Sequence, residues 1–140
     1  MSTIVEKVHG RGHKNISATH PTTLAITRDA EVRKSGDCFL LVSADKSPRM
    51  LSDAFKNAAR KPVKIIVKII AGDLVDEFYC YGDPALTFRD DFTMVFRKSK
   101  YICDKTVGIR SNKSAVDIDR RIVERLREGC EATIELIIGL

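Results

Sequence analysis

Tryptophan is absent from this 140-residue chain, aromatic residues make up only 6% of it, and glycine and proline number 8 and 4. The first two shortages leave nucleic-acid binding by base stacking without its usual platform. So little glycine and proline excludes a collagen-like or low-complexity chain. No apolar run approaches the ~18 residues of a membrane span, and residues 1–10 carry no apolar signal-peptide core, so a cytoplasmic protein without a membrane partner is expected. The 4 cysteines, Cys38, Cys80, Cys103 and Cys130, stand far apart. None of them forms the close pair that a zinc knuckle or redox motif needs, so they read as buried thiols in a reducing compartment, with no metal site. Phosphate loops of the glycine-lysine type, nucleophile elbows and dinucleotide fingerprints are also missing, and no cofactor is expected.

What is present fits one ordinary globular domain, 44% hydrophobic and 31% charged, with a net charge of +5 that favours anionic partners only weakly. A domain of this length buries roughly two thirds of the surface its unfolded chain exposes. The strongest internal signal is a repeat. Asp45-Lys46-Ser47 recurs as Asn112-Lys113-Ser114, and the same offset carries Leu51 to Ile118, Phe55 to Ile122, Arg60 to Arg127, Val67 to Ile134 and Gly72 to Gly139. An internally duplicated domain is expected, its pseudo-equivalent halves spanning 1–72 and 73–140.

Each half reads as strand, strand, strand, helix, strand. In the first, Thr3 to Val8 is a strand, Gly10 to Asn15 a turn, Ile16 to Arg28 an extended threonine-rich stretch and Asp37 to Ser43 a buried strand. Ser47 with Pro48 reads as a helix start, Leu51, Phe55 and Ala58 as its inner stripe, and Val63 to Ile70 as an alternating strand. The second half repeats the order, with Ser114 and Asp117 as a capping box, Ile118, Ile122 and Leu126 as the inner stripe, and Gly129 as the stop. The result is an α+β, β-rich fold, a sandwich or barrel with two packed helices and a core shared between the halves. Lys64 and Lys68 answer to Glu131 and Glu135, an inversion of sign that suits either neighbouring strands in one sheet or two separate solvent faces.

Gly12-His13-Lys14-Asn15, Thr19-His20, Gly36-Asp37-Cys38, Ser43-Ala44-Asp45-Lys46-Ser47 and Asn112-Lys113-Ser114 together resemble an archaeal family of small proteins known as a domain of unknown function, number 371. The resemblance covers nearly the whole chain and implies a compact, β-rich, sandwich-like fold without an assigned activity. The second Gly-His of the family pattern is Gly82-Asp83 here.

Two groups of residues carry candidate chemistry. His13 and His20 with Asp37, and His9 and Cys38 nearby in sequence, offer an acid–base or metal-binding set, while a structural role in pinning the long loop is the alternative. Lys46, Ser47, Lys113 and Ser114 stand just before the two helices, where free amides and the helix dipole favour an anion. Capped, solvated turns are the plainer reading of the same residues. Three functions therefore stay open: a module that binds RNA or a phosphorylated ligand at the two helix starts, a small enzyme built on His13 and His20, and an interaction subunit without chemistry.

Overall fold

The chain's computed structural model describes residues 2–140. Among them the elements follow in the order β1 (Thr3–Arg11), β2 (Thr23–Thr27), β3 (Phe39–Leu41), α1 (Asp53–Ala59), β4 (Lys64–Ala71), β5 (Leu74–Tyr81), β6 (Thr93–Arg97), β7 (Thr106–Gly108), α2 (Arg120–Arg127) and β8 (Glu131–Gly139). The strands form two four-stranded sheets, ordered β1-β8-β4-β5 and β3-β2-β6-β7. No barrel closes. Phe78 of β5 meets Phe96 of β6 edge-on, with ring centroids 5.7 Å apart, and so joins the two sheets as a sandwich.

Alternation sets the faces of the first sheet. Ile65, Val67 and Ile69 of β4 and Ile134, Leu136 and Ile138 of β8 are buried, and the residues between them turn outward. Both sheets draw strands from both halves, and their registers respect an exchange of the halves. In the first sheet that exchange centres on Lys68 opposite Glu135, in the second on Ala25 opposite Val95. What recurs is thus the architecture, down to strand register. Of the two readings of the inverted charges, adjacency in one sheet is the one observed, since β4 pairs with β8 and Lys68 with Glu135. Lys64 and Glu131 lie beyond the register the two strands share.

The helices begin later than the Ser47 and Ser114 motifs predict. Pro48–Met50 and Ala115–Asp117 are isolated 3-10 turns, each followed by an extended residue, Leu51 or Ile118, which drops its side chain into the core. Only then does each α-helix start, under a second cap. The Ser52 side chain accepts from the Phe55 N–H, and the Asp119 side chain accepts from the Arg121 N–H. Phe55, Ala58 and Ala59 form the buried face of α1, and Ile122, Val123 and Leu126 that of α2.

Two glycines lock the halves together, for a reason other than turn geometry. A Cβ on Gly12 would lie 1.7 Å from the Leu126 carbonyl oxygen of α2, and one on Gly82 would lie 2.0 Å from the Ala59 carbonyl oxygen of α1. Each strand end therefore rests directly on the backbone at the end of the other half's helix, and only a residue without a side chain fits. The Gly12 N–H also donates to Cys130 O at 2.8 Å, and the Gly82 N–H to Val63 O at 2.9 Å.

The outward face of the first sheet is arranged in rows across the strands. One row reads Lys7, Glu135, Lys68, Glu77; on one side of it run Val5, Ile137, Ile66 and Tyr79, and on the other His9, Thr133, Ile70 and Val75. Val5 is 49% exposed and Val75 57%.

Gly82→Ala tests the clasp. Because backbone would have to move away from backbone, thermal or urea unfolding followed by circular dichroism should show a loss of about 3 kcal/mol. Gly139→Ala, where an added Cβ meets no atom within 4 Å, should change little.

Candidate functional site

The repeated Asp-Lys-Ser element is built into the fold at both of its positions. Asp45 lies against β1, its Oδ1 accepting the His9 N–H at 2.8 Å while its own N–H donates to His9 O at 2.8 Å. Asn112 holds Tyr79 of β5 in the same way, at 2.8 and 3.0 Å. The lysine that follows each of them turns inward. Lys46 Nζ reaches Glu6 Oε2 at 2.7 Å, and Lys113 Nζ reaches Asp76 Oδ1 at 2.8 Å.

These two carboxylates also take the amide at the start of each helix. The Ser52 N–H donates to Glu6 Oε1 at 2.6 Å, and the Asp119 N–H to Asp76 Oδ2 at 2.9 Å. An anion does sit before each helix, but it is the chain's own carboxylate. Glu6 is only 7% exposed, and burial pushes its pKa up. The bonds from Lys46 and Ser52 outweigh that effect and hold the carboxyl below its usual range. The serines diverge. Ser114 Oγ donates to Asp117 Oδ2 at 3.2 Å, whereas buried Ser47 Oγ has no partner, since Met50 stands where the second half has Asp117.

The histidines are explained by their counterparts in the other half. His13 Nδ1 accepts the Asn15 N–H at 3.0 Å, and in the second half Asp83 Oδ1 accepts the Ala85 N–H at 2.8 Å. His20 Nδ1 accepts the Thr22 and Thr23 amides, both at 3.1 Å, as Asp90 Oδ2 accepts those of Phe92 and Thr93 at 3.1 and 2.8 Å. An imidazole nitrogen and a carboxylate oxygen thus do one job, closing a turn. Asp37 enters through its backbone, its carbonyl accepting from the Thr19 and His20 amides at 2.9 and 3.0 Å. Among the described residues no group of His, Cys, Asp or Glu is placed to hold a metal.

The cysteines remain free thiols. Only Cys80 is fully buried and Cys130 is exposed, which corrects the expectation of four buried thiols. Burial pushes the Cys80 and Cys38 thiols up, and the Asp37 charge adds to the effect at Cys38. Cys103 goes the other way. Burial opposes its charge, but hydrogen bonds from Lys105, Arg97 and Thr106 hold its thiol below the usual value.

A polar concavity lies elsewhere, at the β1–β8 end of the first sheet. It encloses about 570 Å³, and its polar lining is His9, Arg11, Ser43, Asp45, Glu131 and Thr133. His9 Nδ1 lies 3.0 Å from Thr133 Oγ1, which fixes the ring, and Ser43 is held in the left-handed region at φ 52°. Arg11 also borders a second cleft of about 360 Å³, lined by His13, Lys14, Arg127 and Glu128. In the other half the corresponding residues border two separate hollows, one of about 220 Å³ beside Tyr79 and Asn112 and one of about 420 Å³ lined by Thr3, Val63, Lys64, Ile66, Ile137 and Gly139. There Tyr79 replaces His9, and Lys64, its Nζ 4.2 Å from the Tyr79 ring centroid, borders both hollows and divides them. Sequence reasoning missed Glu6, Asp76 and Arg11, which stand on strands far from the motifs they serve. The signal available was a charged residue at an inward position of an alternating strand, and Glu6 and Asp76 both occupy one.

Fold and site together define a two-sheet β-sandwich with a polar cleft at one sheet end. Residues 8–139 match the family described as a domain of unknown function, DUF371, and the chain belongs to it. It is 42% identical over 131 residues to an uncharacterized protein of Methanocaldococcus jannaschii, a match covering 94% of this chain and 97% of that one. No helix among the described residues is long and apolar enough to cross a membrane.

The turn-closing role of His20 has a direct test. His20→Ala should lower unfolding stability by about 1–2 kcal/mol, whereas His20→Asp, which copies Asp90, should stay within about 0.5 kcal/mol of the parent. Equal losses in both variants would contradict the role.

Proposed function

We propose that this chain is a binding module for a small phosphorylated ligand, seated in the cleft around Arg11. The observation that carries the reading is the asymmetry of the two halves. Their architecture recurs, yet the first gathers its polar side chains around one cleft, while in the second Tyr79 and Lys64 divide the equivalent place and Val63, Ile66 and Ile137 make much of its lining apolar.

The lining divides by chemistry. Arg11, Lys14 and Arg127 bring three cations to the second cleft against the single carboxylate of Glu128. Arg11 is only loosely engaged, 3.7 Å from exposed Glu131, and such a pair contributes little and is readily exchanged for a phosphate. On the far side of Arg11, Ser43, Asp45, Thr133 and His9 offer the donors and acceptors that hydroxyl groups need. Phosphate binding is thereby assigned to the cleft rather than to the helix starts, where Glu6 and Asp76 already take Lys46 and Lys113. No step of acid–base chemistry is assigned, because His13 and His20 spend their Nδ1 atoms on turn amides.

Calorimetric titration with ribose 5-phosphate, ribose and inorganic phosphate checks this reading. The phosphorylated sugar should bind more tightly than either part, and Arg11→Ala should weaken it about tenfold or more, as expected for loss of a charge-assisted contact, while Lys100→Ala should not. Binding of single-stranded RNA with steep salt dependence, and of none of the small ligands, would favour a polyanion surface instead.

A further inference from the structure

We propose that the open face of the first sheet is a self-association surface, on which a second copy of the chain docks face to face about a two-fold axis running along the strands. The charge order of the central row carries the inference. It reads plus, minus, plus, minus from β1 to β5, as Lys7, Glu135, Lys68 and Glu77. Within the chain only Lys7 and Glu135 approach as an ion pair, at 3.6 Å, so the row keeps capacity for partners above it.

Two simple ways exist to lay an identical face on this one. An axis across the strands, through the central row, places every residue of that row over its own copy, lysine on lysine and glutamate on glutamate, and like charges in register oppose the contact. An axis along the strands reverses the row. Lys7 then lies over the second copy's Glu77, and Glu135 over its Lys68, so that all four contacts are of opposite sign. The same rotation sets Val5 over Tyr79 and Ile137 over Ile66, which buries the neighbouring apolar row against itself. Strands nearly aligned between the two copies are the usual geometry of sheets packed face to face, and the contact is self-complementary, as a two-fold dimer requires.

Charge also argues for a second copy over other occupants. A row with equal numbers of lysines and glutamates offers no net attraction to a polyanion, and its charges at the centre of the face oppose a lipid surface. The patch is small. Four strands about 4.8 Å apart and eight residues long at about 3.3 Å each cover roughly 15 by 26 Å, below the ~800 Å² per partner of a standard interface, so the dimer should dissociate on dilution.

The face shares His9, Ile70 and Thr133 with the lining of the proposed ligand cleft, and the two readings are told apart by measuring association without ligand. Sedimentation equilibrium of the full chain from about 5 to about 500 µM should show the 15.7 kDa protein passing reversibly to twice that mass. Glu135→Lys sets like charges over Lys68 and should leave a monomer across the range. The exchange Lys68→Glu with Glu135→Lys restores opposite signs across the axis and should restore the dimer. Val75→Lys, at a well-exposed edge position where the fold is not at risk, should weaken association at least tenfold. A monomer at every concentration would overturn the proposal. So would a larger assembly, or a dimer indifferent to Glu135→Lys and Val75→Lys, which would place the contact at a strand edge.

Discussion

Two inward-facing carboxylates, Glu6 buried and Asp76 partly buried, hold the connections of this fold in place. A carboxylate taken from water needs a countercharge and hydrogen-bond donors, and Glu6 and Asp76 each find both where the chain turns from its 3-10 segment into an α-helix. The lysine supplies the charge, and the first amide of the helix supplies a donor that would otherwise lack an intrahelical partner. Because Glu6 stands on β1 and Asp76 on β5, the two terminal strands of the first sheet are tied to the starts of α1 and α2. The zipper of Asp45 on His9 and of Asn112 on Tyr79 continues each tie by three residues along its strand. Removing one partner would leave an uncompensated group inside, so the elements stand or fall as a set.

Where the sequence is a faithful guide, local physics and tertiary packing agree. The alternation of β4 and β8, the stripes Phe55 and Ala58 of α1 and Ile122 and Leu126 of α2, and the terminal Gly129 act as their periodicity and composition predict, and the α+β sandwich follows from their order. Misplacement comes where two local signals compete. Ser47-Pro48 and Ser52-Asp53 both qualify as helix starts, and the core decides between them by drawing Leu51 into an extended backbone. The partner of Lys46 is out of local reach altogether, because it sits 40 residues away on another strand. A lysine before a helix looks like an anion receptor when the chain is read in one dimension, and in three dimensions its anion is already supplied.

The histidines teach a similar lesson through the second half. In isolation His13 and His20 suggest proton chemistry, but their positions are taken by Asp83 and Asp90 in the other half, with the same acceptor role toward the same turn amides. Departures from the shared plan are therefore more informative about function than shared features. The polar cleft beside Arg11 and its divided, more apolar counterpart beside Tyr79 and Lys64 are one such departure. The ligand site proposed above lies at this departure.

Native-state hydrogen exchange read by NMR at the Ser52 and Asp119 amides tests the central claim most directly. Both amides should be protected in the parent protein, since each donates to a carboxylate away from bulk water. Glu6→Ala should release Ser52 alone and leave Asp119 protected. Rapid exchange at both sites in the parent, or no change at Ser52 in the variant, would contradict the claim that these carboxylates fix the helix starts.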